Sequence, residues 1–371
     1  MRIKVNSDSL KNSLAKILTV VDKKNSRPIL TYTLISVTGN DLELSATDLE
    51  VSAKVKLSAT VENHGNFCVN AKNLFDILKE LPNTEIELVL DSSENVLKLN
   101  CQDIHYSLLI YPSDEYPKLI FGNESSQFKL TSEQLLEIIQ KTSYAISDDE
   151  TRLQLNGIYL HEVDSKLRAI STDGLRLSLV ETDLEQTNIE TLINGIIIPK
   201  KGVFEIKKLA ESYPSKKVTI SVDESFMYIN AEDEYFLSIR LIAREYPKYQ
   251  AIIPSKTTYV VNVERSSFFD AVRRIKIMSN EKSNGLRIQI KEKEMTITAN
   301  HPSLGDAQET IPVDFNGNPM EVGFNAKFLL DSLQTIEEGE ISLELNNELS
   351  PVIIRSNSVP NYLGIIMPLK L

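Results

Sequence analysis

Asp148-Asp149-Glu150 sets three carboxylates side by side, the residue type that holds a divalent cation for hydrolytic or phosphoryl chemistry. No histidine and no further carboxylate motif accompanies them, so a solvated acidic loop is the simpler reading. The four histidines, His64, His105, His161 and His301, are scattered without metal-ligand spacing. Thr172-Asp173-Gly174 offers a hydroxyl and a carboxylate, but no base stands beside a nucleophile. Dinucleotide-binding, phosphate-loop, nucleophile-elbow and zinc-protease motifs are all missing. Cys68 and Cys101 can form one disulfide or remain as buried thiols; buried thiols in a reducing compartment are the expectation. No catalytic set emerges, and no cofactor is called for.

The elements that would position a site are more informative. Ala169 to Leu177 closes one strand-like run, turns at Asp173-Gly174 and opens another, a hairpin signal. A related turn, Ser45-Ala46-Thr47-Asp48-Leu49-Glu50-Val51, lies 125 residues earlier, counted from Asp48 to Asp173. Thr298-Ala299-Asn300-His301-Pro302 lies 127 later, counted from Asp173 to Asn300. Around each turn the same order recurs. Leu14, Ile17, Leu18 and Val21 predict a first helix, strands follow from about Leu30 to Val61 with a break at Gly39-Asn40, and a second helix covers about Ala71 to Leu81. Leu135, Ile138 and Ile139, then Val203, Ile206 and Ala210, mark the helices of a second unit; Phe268, Ala271, Val272 and Ile275, then Leu329, Leu333 and Ile336, mark those of a third. Each unit predicts an α+β domain, with antiparallel sheets on one side and two helices on the other. Linkers are expected near Gly122-Asn123-Glu124-Ser125 and Pro254-Ser255-Lys256, which gives domains 1–125, 126–254 and 255–371.

The formal charge of −12 argues against a simple nucleic-acid binder unless the 40 Lys and Arg gather on one surface. They recur in register. Lys72 and Lys79 share a helix face opposite Leu74; Lys201 and Lys208 stand 129 residues on, and Lys327 with Gln334 another 126. The first helices add Lys11 and Lys16, Lys141, and Arg273 with Arg274. Three copies around an axis would bring six such faces to one side, which suits a duplex touched at its phosphates without base reading. No run approaches a membrane span, and the N-terminus alternates like a strand rather than a signal peptide. The chain ends on an apolar decamer, Tyr362 to Leu371. Ile365 and Met367 read as a last core strand, and Met367-Pro368-Leu369 could also floor a groove for a partner peptide.

Several stretches together resemble the bacterial DNA polymerase III beta subunits, the sliding clamps. They are Ala46 to Glu50, Asn73 to Leu78, Leu155-Asn156-Gly157, Ser171 to Gly174, Ile198 to Val203, Tyr246 to Tyr249, Ser279 to Lys282, Gly323-Phe324-Asn325 and the closing Met-Pro-Leu-Lys-Leu. The resemblance covers the whole chain and rests on order, spacing and the triple repeat. It implies the DNA clamp fold: three repeated helix-sheet domains, with a head-to-tail homodimer closing a six-domain ring around duplex DNA, cytoplasmic and nucleoid-associated. In such a dimer Tyr106 and Leu108 meet Ile277 and Met278. Lys24 and Arg27 match a DNA-contacting loop, which joins Lys72, Lys79, Lys141, Lys201, Lys208, Arg273, Arg274 and Lys327 as the DNA-facing set. Partners are then the replicative DNA polymerase alpha subunit, the clamp-loader complex, translesion polymerases, ligase and mismatch-repair proteins.

The resemblance also implies a hydrophobic peptide-binding groove at Leu155, Thr172, Gly174, Leu175, Arg176, Leu177, Pro247, Ile252, Asn325, Phe328, Leu349, Pro351, Ile365, Ile366, Met367, Pro368 and Leu369. Three positions depart from the family pattern: Leu175 where a His is common, Ser283 where an aromatic can sit, and Ala251 where an Arg can. Two rivals stay open. One is a DNA-modifying enzyme that uses Asp148, Asp149 and Glu150 with a divalent metal. The other is a repeat scaffold that binds only proteins.

Overall fold

Among the described residues, several helices begin where a strand ends on its own cap. The strand Arg2–Asn6 stops at Asn6, whose Oδ1 accepts Ser9 N at 3.0 Å and opens the helix Ser7–Ile17. Asn70 closes Asn66–Asn70 and accepts Asn73 N at 2.9 Å to open Ala71–Glu80. Glu264 accepts from Ser266 N and Ser267 N before Arg265–Ile275, and Asn325 does so from Lys327 N and Phe328 N before Ala326–Leu333. A side-chain oxygen at this position satisfies amides that the first turn leaves without a partner. The buried face then follows the predicted period, as with Leu10, Leu14 and Ile17 in the first helix. That helix is shorter than the Leu14-to-Val21 pattern predicts. Val20 N bonds Ile17 O at 3.1 Å, a tightened last turn, and Val21 is buried beyond the helix.

The computed structural model describes residues 1–21, 27–38, 41–91, 94–122 and 127–370. The predicted break at Gly39-Asn40 and most of the predicted first linker, 123–125, fall outside them. The described chain forms two compact units. The first comprises 1–136, 189–191 and 201–241. It is built on one thirteen-stranded antiparallel sheet running from the strand Gln127–Thr131 at one edge to Thr60–Glu62 at the other. Within it Tyr235–Arg240 pairs with Val51–Ser58, Tyr235 opposite Val55 and Ile239 opposite Val51, so strands from the first third and the middle of the chain share one ladder.

The second unit comprises 137–188, 192–200 and 242–371. Its nine-stranded sheet is joined in the middle by Arg176–Asp183 against Tyr362–Ile366. Its four-stranded sheet has Gly305–Pro312 at one edge and Met320–Asn325 at the other. Among the described residues no helix is long and apolar enough to cross a membrane. Cys68 and Cys101 are buried free thiols, and burial pushes Cys68 up to about 12.

Candidate peptide groove and basic faces

The Asp173 turn is held from inside. Thr172 Oγ1 accepts Gly174 N at 3.0 Å and donates to Arg176 O at 2.6 Å. Asp173 Oδ1 accepts Leu175 N and Arg176 N at 2.9 and 3.0 Å. Gly174 sits at φ +91°, a conformation that L side chains rarely adopt. The result presents Leu175 outward, 53% exposed, and turns Arg176 inward. Arg152 donates from Nη2 to Asp173 O at 2.9 Å and clamps the turn from outside.

Arg176 is the polar centre. It is 8% exposed and donates to Asp173 Oδ2 at 3.0 Å and Asp331 Oδ2 at 2.6 Å. Its guanidinium lies over the Phe328 ring at 4.5 Å and the Tyr144 ring at 5.3 Å, as a planar cation favours. Below it Tyr144 and Tyr362 share a hydroxyl hydrogen bond at 2.7 Å, with Ser332 Oγ 2.9 Å from Tyr362. Burial pushes both tyrosines above their ordinary range, so they stay neutral.

The C-terminal segment completes the floor. Arg176 stands opposite Ile366 and Leu177 opposite Ile365, and Val352 pairs with Ile366 on the other side. Beyond the strand, Met367 N donates to Leu175 O at 2.8 Å and Leu369 N to Gly323 O at 2.8 Å. Leu155, Leu177 and Ile365 pack with Tyr246, Tyr249 and Ile353 in one buried cluster. Through Tyr246 and Tyr249 this cluster anchors the exposed Pro247 and Ile252. Asn325, Phe328, Pro351, Met367, Pro368 and Leu369 are half-buried, and Leu349 is 63% exposed. The expected groove residues thus fall in one unit, linked by strand pairing, by the turn and by this cluster. Sequence reasoning missed Tyr144, Arg152, Asp331 and the 47%-exposed Leu153. The spacing of Phe328 and Asp331, three apart on one helix face, was the available signal for Asp331.

The acidic triplet has other work. Asp148 pairs with Lys200. Asp149 accepts from Thr151 N at 3.0 Å and Arg152 Nε at 2.9 Å, and the Thr151 contacts hold its carboxyl below the ordinary range. Among the described residues no group of three or more His, Cys, Asp or Glu is arranged to hold a metal ion.

The basic set divides by environment. Lys72 and Lys327 are exposed, and so is Arg27. Lys79 is half-exposed, 3.9 Å from Asp76, and Arg273 is exposed, 3.0 Å from Asp270. Lys141, Lys201, Lys208 and Arg274 are held by partners in the fold. Lys141 is 8% exposed and pairs with Glu137 at 2.5 Å. Lys201 pairs with Asp48. Lys208 donates to Ala15 O, Lys16 O and Thr19 Oγ1, covering the last turn of Ser7–Ile17. Arg274 forks onto Glu309 at 2.5 and 2.9 Å. Lys24 lies outside the described residues.

Each unit also shows exposed apolar residues on or beside a strand with a partly or wholly open side. In Ile104–Tyr111, Tyr106 and Leu108 lie on the half-buried face opposite Leu99 and Leu97, while Leu109 on the other face is 76% exposed. In the second unit, Ile277 and Leu304 are 74% and 66% exposed beside the edge strand Gly305–Pro312, and Met278 is half-buried.

Three family models span the chain: DNA polymerase III beta subunit, N-terminal domain over residues 1–120, central domain over 129–248 and C-terminal domain over 250–370. The chain is 30% identical over 376 residues to the beta sliding clamp of Pseudomonas putida and 29% identical over 376 to that of Caulobacter vibrioides, with all of each chain covered. It is similar over its whole length to the solved DnaN sliding clamp of Bartonella birtlesii bound to griselimycin, with a TM-score of 0.94 at 30% identity.

Proposed function

We propose that this chain, which belongs to the DNA polymerase III beta subunit family, works as a homodimeric ring that encircles duplex DNA and tethers the replicative polymerase to it. It is a sliding clamp by family and a processivity subunit without catalysis of its own. Three clamp domains, 1–125, 126–254 and 255–371, would close head to tail with a second copy into six. The two open sides support this contact. Ile104–Tyr111 pairs with Asn66–Asn70 only through Ile110 and Tyr111, so the rest of that side and the edge strand Gly305–Pro312 offer open backbone, and Leu109, Ile277 and Leu304 supply apolar area beside them. To the expected Tyr106, Leu108, Ile277 and Met278 the reading therefore adds Leu109 and Leu304.

Phosphate contact falls to the exposed Lys72, Lys79, Arg273 and Lys327, together with Arg27 and Lys24, the two positions that match a DNA-contacting loop. Lys141, Lys201, Lys208 and Arg274 contribute mainly by shaping the helices. The groove around Leu175, Arg176 and Met367–Leu369 takes a hydrophobic segment of the polymerase alpha subunit. In turn it takes segments of the clamp loader, translesion polymerases, ligase and mismatch-repair proteins. That work belongs on the nucleoid, in the cytoplasm. The observation that carries the reading is the Leu175–Met367 bond beside the Arg176–Asp331 pair, which builds an apolar shelf around one buried polar anchor. The test is retention on nicked circular DNA after loading, before and after one restriction cut. Release on linearisation is expected; retention on the cut DNA would refute a ring held by topology.

A further inference from the structure

A cavity lies beside the groove, on the same strand edge. Met320–Asn325 is the edge strand of the four-stranded sheet, and two segments dock on it in sequence. The groove floor docks through Leu369 N to Gly323 O at 2.8 Å. Two residues back, roughly 7 Å along a strand, Glu321 N donates to Glu348 Oε1 at 3.4 Å. The neighbouring Leu349 belongs to the groove set and also walls a cavity of about 420 Å³. Tyr259, Pro319 and Met320 give this cavity its apolar lining, and Asn318, Asn346 and Asn347 its polar rim.

The loop that carries Leu349 is fixed before any ligand arrives. Asn346 Oδ1 accepts Thr258 N at 2.8 Å, and Asn346 Nδ2 donates to Lys256 O at 2.9 Å. Ser350 Oγ accepts Asn347 N at 3.0 Å, and Asn347 Oδ1 accepts Leu349 N at 2.9 Å. Leu349 is therefore held out to solvent at 63% exposure by a preorganised turn, which lowers the entropic cost of binding against it. An exposed leucine shared by a groove and an adjoining cavity with an apolar floor and a polar rim is a contact surface on both of its faces.

We propose that this cavity receives a large apolar side chain, aromatic by preference, that the partner peptide carries beyond the segment filling the groove. The proposal rests on the groove reading above and extends it to a longer recognition element. Glu348 is the one charged residue at the cavity, so an acidic residue beside that side chain is disfavoured.

The test uses the full chain and the shortest segment of the polymerase alpha subunit that still binds it, titrated by fluorescence anisotropy. The segment is also made with Gly-Trp or Gly-Ala added at either end. One Gly-Trp extension should bind about tenfold more tightly, or about 1.4 kcal/mol, and the matching Gly-Ala extension should gain nothing. Asn318→Trp, at an exposed rim position outside the groove, should remove the gain and leave the core segment unchanged. Equal affinity for the core and both Gly-Trp peptides overturns the proposal alone, as does a gain that survives Asn318→Trp. No binding by any segment overturns the groove reading, and this proposal with it.

Discussion

Replacing Arg176 with Ala tests whether the groove is built around that one buried cation. The change strips of their partner two carboxylates, Asp173 and Asp331, whose side chains are 18% and 25% exposed while Arg176 is in place. Breaking a buried pair costs about 3–5 kcal/mol. Partial access of water to both acids argues for the lower end, and loss of the Phe328 contact adds about 0.5–1. The expected loss is therefore about 3–4 kcal/mol, or a fall of roughly 6–12 °C in the melting of the second unit. Asp331→Asn keeps an oxygen acceptor for Arg176 and should cost far less, about 1 kcal/mol. Because Arg176 and Asp331 touch, the double variant should lose at least about 1 kcal/mol less than the sum of the singles. Tyrosine near-ultraviolet dichroism follows the melt, and peptide titration follows the groove. A fall under about 2 °C for Arg176→Ala, or additivity within about 0.5 kcal/mol, would refute the reasoning.

Leu109→Asp should weaken the homodimer by at least about 30-fold in Kd, because it buries a charge where the edge offers apolar area. Sedimentation equilibrium reads this, and an unchanged dimer removes Leu109 from the interface. Glu205 is fully buried with Lys208 4.0 Å away, and burial pushes its carboxyl above the ordinary range. The stability it contributes is then full below about pH 4.3, the unfolded value, and is lost as pH rises through the folded value. Glu205→Gln should raise the melting temperature at pH 7 and flatten that decline in melts from pH 4 to 8; a lower melting temperature at pH 7 counts against it.

What was legible from sequence was mostly local. Apolar period and cap residues lie within a few positions of each other, so the helices at Ser7, Ala71, Arg265 and Ala326 were readable. The Asp173 turn was readable for the same reason. The groove positions came from resemblance, because pairing Leu177 with Ile365 is a tertiary event that no local pattern encodes. The basic faces carry partners that no local pattern reveals. In-register Lys201 and Lys208 look like free cations, yet Asp48 meets the first, and the end of the first helix accepts three bonds from the second. Those partners lie more than 150 residues away in the chain, beyond the reach of helix-face arguments.

The two related turns show how one repeated device serves two purposes. At Thr47 to Val51 the hydroxyl accepts Leu49 N at 3.0 Å, and Asp48 Oδ1 accepts Glu50 N and Val51 N at 3.0 and 2.7 Å, the same set that Thr172 and Asp173 make. Each turn needs a positive φ at its third residue, met by Gly174 at +91° and by Leu49 at +77°. The strained leucine costs of order 1 kcal/mol, and the remaining Asp48 oxygen of this turn pairs with Lys201. In the second turn glycine removes that strain, and the remaining Asp173 oxygen goes to Arg176. That cation reaches on to Asp331 and the ring of Phe328, so the hairpin is tied to the helix Ala326–Leu333. The local hydrogen bonding is common to both copies. What differs between the two turns is the backbone at the third residue and the partner of a single carboxylate oxygen.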